Sequence, residues 1–160
     1  MAYLLDADVF IDAKNHHYRF KVCPAFWEWL CFANSKGKLI SIKEVYKELI
    51  ERGDMLSNWC KPRSGVFVDT GDGETYGSLQ LLATWVNENY EQAAQNKFFR
   101  DADFVLVGFA HAHKHTIVTH EVEAHGYDVK IPNACKALGV PVINPFQMLA
   151  DEGVKFVLAK

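Results

Sequence analysis

Residues 3–12 read YLLDADVFID. Leu4, Leu5 and the alternation around Tyr3 predict a short buried strand that ends near Asp6. Asp6, Asp8 and Asp12 then follow where the chain turns. Asp8 stands where it can cap a short helix running to about Ala13, since Asp is a favoured N-cap residue. A carboxylate at the end of a buried strand either faces solvent or holds something cationic, and that choice runs through the rest of the chain.

Outward from this stretch, helical patterns alternate with short apolar runs. CPAFWEWLCFANSKG predicts a helix opened by Pro24 and stopped by Gly37, with Phe26, Trp27, Leu30 and Phe32 on its apolar side. Leu39 and Ile40 predict a strand, Ser41 a cap, and Ile42, Val45 and Leu49 a helical stripe that ends at Gly53. A short helix and a loop are expected over 54–65, and a strand over 66–68. DTGDGETYG (69–77) is the strongest turn cluster. Helices are expected over 80–98 and in RDADFVLVGFAHAHKH after a break near Arg100. TIVTHEV is the clearest later strand, and GYDVKIP, CKALGVPVINP and FQMLADEG predict a strand-like piece, a short helix, a strand and a last helix. Such alternation argues for a parallel α/β sheet with helices on both sides.

Bulk properties agree with one domain. The chain has 160 residues, 49% of them hydrophobic and 13% aromatic, and a domain of this size buries roughly 70% of its unfolded surface without staples. No apolar run reaches the roughly 20 residues of a membrane span, and the N-terminus has no signal-peptide pattern. The four cysteines, Cys23, Cys31, Cys60 and Cys135, include no C-x-x-C pair, so a reduced, cytoplasmic setting is expected rather than a disulfide framework or structural zinc. The net charge of −3 divides into +2 over residues 1–63 and −5 over 64–160. Bulk charge therefore announces no nucleic-acid binder, although it suits a basic rim around an acidic centre.

Acids gather where an α/β sheet keeps its chemistry, beyond the carboxyl ends of strands. Asp6 follows the first strand, Glu44 and Glu48 share a helix face one turn apart, and Glu121 stands just past TIVT. Asp101 and Asp103 open the helix that starts DADFV, where acids also suit the helix dipole. Carboxylates converging without Lys or Arg repel one another. A hard divalent cation such as Mg²⁺ or Mn²⁺ removes that penalty and can activate water against a phosphodiester.

At these residues the sequence resembles the PIN-domain nucleases. YLLDADVFIDA resembles their opening strand and aspartate. SIKEVYKEL is similar to their V-x-x-E-L motif, pointing to Glu48, and DADFVLVGFA to D-x-x-x-x-x-x-A, with Asp103 and Ala110 in register. TIVTHE is similar to a strand ending in T-x-D, with Glu121 at the acid position. The tail KIPNACKALGVPVINPFQML resembles that of a microbial PIN-like family regarded as toxin components. The resemblance implies a three-layer α/β/α sandwich with a central parallel sheet, one domain over residues 1–160, and a Mg²⁺- or Mn²⁺-dependent endoribonuclease that hydrolyses RNA with a metal-activated water. Its metal-binding and catalytic residues would be Asp6, Glu48, Asp103 and Glu121, supported or replaced by Asp8, Glu44 and Asp101. It further implies a toxin of a toxin–antitoxin pair, an antitoxin protein as partner and a homodimer. Glu121 departs from the usual aspartate by one methylene, and Asp8 stands where a neutral polar residue is common.

Each residue also has a plainer reading. Asp6 can be a turn residue, Asp8 a cap, Asp103 a first-turn acid, and Glu44 and Glu48 a solvated face of alternating charge. His111 and His115, four apart in HAHKH, could share a helix face as zinc ligands, but an exposed helix end is the expectation; His113 and Lys114 are candidate phosphate contacts. Lys14, Arg19 and Lys21, with His16 and His17 between them, form either an RNA-gripping rim or a solvated loop. Trp27 and Trp29 suit a core or a dimer surface better than base stacking. Two other classes compete: a non-catalytic PIN-like module that binds RNA or protein, and a phosphatase-like hydrolase using Asp6 of D-x-D as nucleophile.

Overall fold

The computed structural model describes residues 1–160. Its five strands are β1 (Tyr3–Leu5), β2 (Leu39–Ile42), β3 (Phe67–Val68), β4 (Thr116–Val118) and β5 (Val142–Ile143), ordered β3-β2-β1-β4-β5. All four pairings are parallel, and Leu4 sits in register with Ile40 on one side and Ile117 on the other. Leu4, Leu5, Leu39, Ile42, Ile117 and Val118 are wholly buried. That explains the consecutive apolar residues Leu4-Leu5 and Ile117-Val118 in the central strands: both faces are covered.

The helices are α1 (Ala7–Asp12), α2 (Pro24–Ser35), α3 (Lys43–Glu51), α4 (Met55–Cys60), α5 (Gly73–Asn89), α6 (Gln92–Arg100), α7 (Ala102–His113), α8 (Ile131–Leu138) and α9 (Pro145–Asp151). A π-helical turn (Ala13–His17) extends α1, and a 3₁₀ segment (Lys61–Val66) extends α4. From β1 the chain steps through β2 to the β3 edge, then returns past β1 to β4 and β5. Right-handed crossovers place the helices of these two journeys on opposite faces of the sheet. Accordingly α3 packs with α1 and α4, while α5 packs with α6, α7 and α8. The result is the expected three-layer α/β/α sandwich.

One core of 35 buried residues joins the layers. Phe10 of α1, wholly buried, meets Phe67 at 5.8 Å and Trp59 at 6.2 Å between ring centroids; burying such a side chain contributes about 1.5–3 kcal/mol. Trp27 is core too, its indole N–H donating to the Tyr18 carbonyl at 2.7 Å. Gly108 lets α7 approach α5, since a β-carbon there would stand 2.4 Å from Cδ2 of Leu79. Cys60 and Cys135 are buried and burial pushes both thiols up to about 12, so they behave as small apolar groups.

Several local expectations need correcting. The N-cap of α1 is Asp6, which accepts from the Ala7 N–H at 2.7 Å, and Asp8 lies inside the first turn. Ser41 is no cap: it is a buried strand residue whose hydroxyl donates to the Leu5 carbonyl at 2.6 Å. The turn cluster at 69–77 is half absorbed by α5, because Asp72 caps the helix through the Thr75 N–H and draws the glycines in behind it. The helix expected over 80–98 is broken at Tyr90 and Glu91 into α5 and α6. Phe32 is 58% exposed, off the apolar side of α2, and no strand forms in GYDVKIP.

Candidate active site

The strand order reverses between β1 and β4, which follow different connections to opposite edges. At such a switch point the segments leaving two neighbouring strands diverge and open a crevice at their carboxyl ends. Asp6 leaves β1 there, and Thr119, His120 and Glu121 leave β4. The carboxylates of α3 and α7 close the sides. A cavity of about 280 Å³ results, lined by Asp6, Asp8, Glu48, Asp101, Asp103 and Glu121 and by Ala7, Ile11 and Ala102. Six acids and no Lys or Arg make up its polar lining.

Asp6 lies deepest, 5% exposed. Burial pushes its carboxyl well above the usual carboxylate range, the charges of Asp8 and Asp103 push further, and the Thr119 hydroxyl pulls the other way. Asp103, on the first turn of α7, is raised to about 7, first by burial and then by Glu121, Asp101 and Glu48. Glu48 is raised by burial and then by Asp101, with Arg52 opposing. Asp8 is also raised by burial, against the hydrogen bonds it accepts.

Hydrogen bonds hold these groups on independent elements. Thr119 Oγ1 lies 2.8 Å from Asp6 Oδ2 and 3.1 Å from Asp8 Oδ2. One hydroxyl has one proton, so the two carboxylates share it. Asp8 also accepts from the His120 N–H at 3.1 and 3.2 Å, pinning the first turn of α1 to the loop after β4. The extra methylene of Glu121 has a visible use: its Oε2 accepts from the Ile131 N–H, 2.8 Å away, at the first position of α8. The helix N-terminus favours the negative charge, and the other oxygen is left for the cavity.

Of the sequence candidates, Asp6, Asp8, Glu48, Asp101, Asp103 and Glu121 come together in this cavity. Glu44 does not. It points toward the end of β3, where its Oε1 accepts from the Thr70 hydroxyl at 2.9 Å while Oε2 is buried without a partner. Lys14 pairs with Asp54 at 2.8 Å, and with Arg19 and Lys21 it borders a separate cavity of about 400 Å³. The HAHKH histidines lie at the opposite end of α7, about 16 Å along the helix by its rise per residue. Each has its own partner: His111 Nδ1 is 2.7 Å from Ser78 Oγ, His113 Nε2 is 3.0 Å from Asp72 Oδ2, and His115 Nδ1 accepts from the Ala2 N–H at 3.0 Å. Thr119 is the residue that sequence reasoning passed over; its signal was the T-x-E at a strand end, read for its acid and not for its hydroxyl.

The donor set suits a hard cation. Its oxygens are carboxylate oxygens, and charge repulsion among them is compensated by no basic side chain in the lining. The side chains do not form a closed shell: no three His, Cys, Asp or Glu residues stand together tightly enough to enclose an ion. Mg²⁺ matches an open arrangement of this kind, because it keeps several waters and uses few protein ligands.

Comparisons with known proteins agree with the architecture. A solved chain of VapBC2 from Rickettsia felis, bound to a DNA fragment from the promoter, superposes with a TM-score of 0.57 at 14% identity, covering 90% of this chain and 98% of that one. The shared feature is the PIN-type fold. No curated protein matches the sequence. A family model described as "Domain of unknown function (DUF4411)" matches residues 3–156, and the chain belongs to that family.

Proposed function

We propose that this protein is a Mg²⁺- or Mn²⁺-dependent endoribonuclease of the PIN type. The observation that carries the reading is the cavity in which Asp6, Glu48, Asp103 and Glu121, drawn from four separate segments, meet at the switch point of the sheet. When bound, the divalent ion supplies Lewis acidity and a water of lowered pKa next to a phosphodiester. Asp6, Asp103, Glu48 and Glu121 would hold it, some of them through its waters, and Asp8 and Asp101 of the same lining would be available to orient those waters. Thr119 fixes Asp6 and Asp8 relative to each other, and the Ile131 N–H fixes Glu121. A basic rim of Lys14, Arg19 and Lys21 would guide the RNA backbone.

A role as the toxin of a toxin–antitoxin pair, with a protein antitoxin and a homodimeric assembly, belongs to the same proposal. It is supported by the fold shared with a VapBC2 chain and by the motif order along the sequence. The cytoplasm is the corresponding location. No helix is long and apolar enough to cross a membrane.

Calorimetry with Mn²⁺ and cleavage of single-stranded RNA test the reading together. Wild type should bind Mn²⁺ saturably and cut RNA only with the ion present. Asp6→Asn and Asp103→Asn should fold and lose both. Cleavage that survives either substitution, or wild type without saturable Mn²⁺ binding, would overturn the assignment.

A further inference from the structure

Next to the carboxylate cavity lies a second, larger one of about 470 Å³ beyond the ends of β4 and β5. Glu121 lines both. Its lining sets Pro132, Val142 and Ile143 beside the rings of His120 and Phe146, with Glu123 as a second carboxylate next to Glu121. Phe146 is the second residue of α9 and is 45% exposed, so part of its ring faces solvent. The ring belongs to a cluster of three drawn from distant segments. His17 stacks on His120 at 5.5 Å with 28° between planes, and Phe146 meets His17 at 5.0 Å and 90° and His120 at 5.7 Å and 65°. Asn144 spends its Oδ1 on capping α9 at the Gln147 N–H, which leaves its amide N–H groups free to donate.

The exposed ring of Phe146, its apolar neighbours and a free amide form a receptor for a planar heteroaromatic ring with polar edges. Unstacked bases of single-stranded RNA bind proteins in this way, by stacking on aromatic side chains and by hydrogen bonds to their edges. We propose that this cavity is a nucleobase subsite, which takes the base beside the phosphodiester at the carboxylate cavity and stacks it on Phe146, with the His120 ring, inclined at 65° to Phe146, against its edge. The inference rests on the nuclease reading for its position and deepens it: one base next to the cut is read at this cavity.

Two measurements separate the subsite from the nuclease reading. In the first, the full chain without divalent ion is titrated with the four nucleoside 5′-monophosphates and followed by NMR at the Phe146 and His120 rings. At least one nucleotide should shift both rings in wild type, and in Phe146→Ala should shift His120 only at about tenfold higher concentration. This holds even if no RNA is ever cleaved. In the second, wild type and Phe146→Ala cleave an RNA oligonucleotide in which an abasic site is stepped across the cut. Phe146→Ala should raise KM about tenfold and leave kcat nearly unchanged. The abasic site beside the cut should penalise wild type and not the variant. Phe146→Trp should keep the preference. Absence of ring shifts with all four nucleotides, or an abasic penalty equal in wild type and Phe146→Ala, would overturn the subsite while leaving the cleavage chemistry intact.

Discussion

Thr119 Oγ1 lies 2.8 Å from Oδ2 of Asp6, so the end of β4 is tied to the end of β1 at the deepest carboxylate of the site. The bond spans 113 residues of sequence. It also draws the Asp6 carboxyl back toward its usual range against burial and neighbouring charge.

Thr119→Val keeps the shape and removes the hydroxyl. Metal-supporting partners of this kind cost about 10–100-fold in affinity or activity when deleted. The variant should lose that much in RNA cleavage and in Mn²⁺ affinity with its circular dichroism unchanged, and Thr119→Ser should recover most of it. Full activity in Thr119→Val would show that Asp6 is positioned without it.

The raised acids predict how stability depends on pH. Asp103 has an ordinary value of 3.8 and a folded value of about 7. The folded state holds the proton in that window and the unfolded chain does not. The resulting stability is complete below about 4 and is lost as pH rises through about 7. Without divalent ion, thermal unfolding should occur at higher temperature at pH 5 than at pH 8, Asp103→Asn should narrow the gap, and Mn²⁺ should raise the pH 8 value in wild type only. Equal midpoints at both pH values in wild type would contradict the mutual repulsion described here.

Gly108 sets the distance between α5 and α7. A β-carbon there meets Leu79 on its side chain at 2.4 Å, while the nearest backbone atom stands at 3.6 Å. Part of the clash can therefore be relieved by a rotamer change. Gly108→Ala should destabilise by about 1–3 kcal/mol, read from urea unfolding, and Leu79→Ala should offset most of the loss. An additive double variant would show that the two residues do not share this contact.

The basic rim should divide into two kinds of residue. Lys14 is engaged with Asp54, which also caps α4 through the Ser57 N–H, so Lys14→Ala should cost up to about 1 kcal/mol of stability. Lys21 is exposed and makes no ion pair. Lys21→Ala should weaken RNA binding evenly across sequences and reduce the salt slope by about 1. An unchanged salt slope would remove Lys21 from the RNA path.

Much of the architecture was legible because the strands are buried on both faces and therefore read as apolar runs ending in acids. Leu4-Leu5-Asp6 and Ile117-Val118-Thr119 are the clearest cases. Helix periodicity alone does not separate Glu44 from Glu48, which share a face; the resemblance to V-x-x-E-L points to Glu48, and the packing of α3 sends Glu48 to the cavity and Glu44 to Thr70. The cap of α1 was misassigned because Asp6 and Asp8 suit that position equally by residue type, and the choice rests on where β1 ends. The role of Glu121 depends on the N-terminus of α8, ten residues further on. No local pattern encodes that contact.

The carboxylates stand at positions 6, 8, 48, 101, 103 and 121, and the strand that presents the last of them, β4, takes its place beside β1 at the middle of the sheet. No fragment shorter than about three quarters of the chain can hold the whole set. A ribosome must finish most of this polypeptide before the sheet can close, so the nascent chain carries no complete carboxylate cavity. Any partial opening that draws β4 away from β1 dismantles the centre in the same motion.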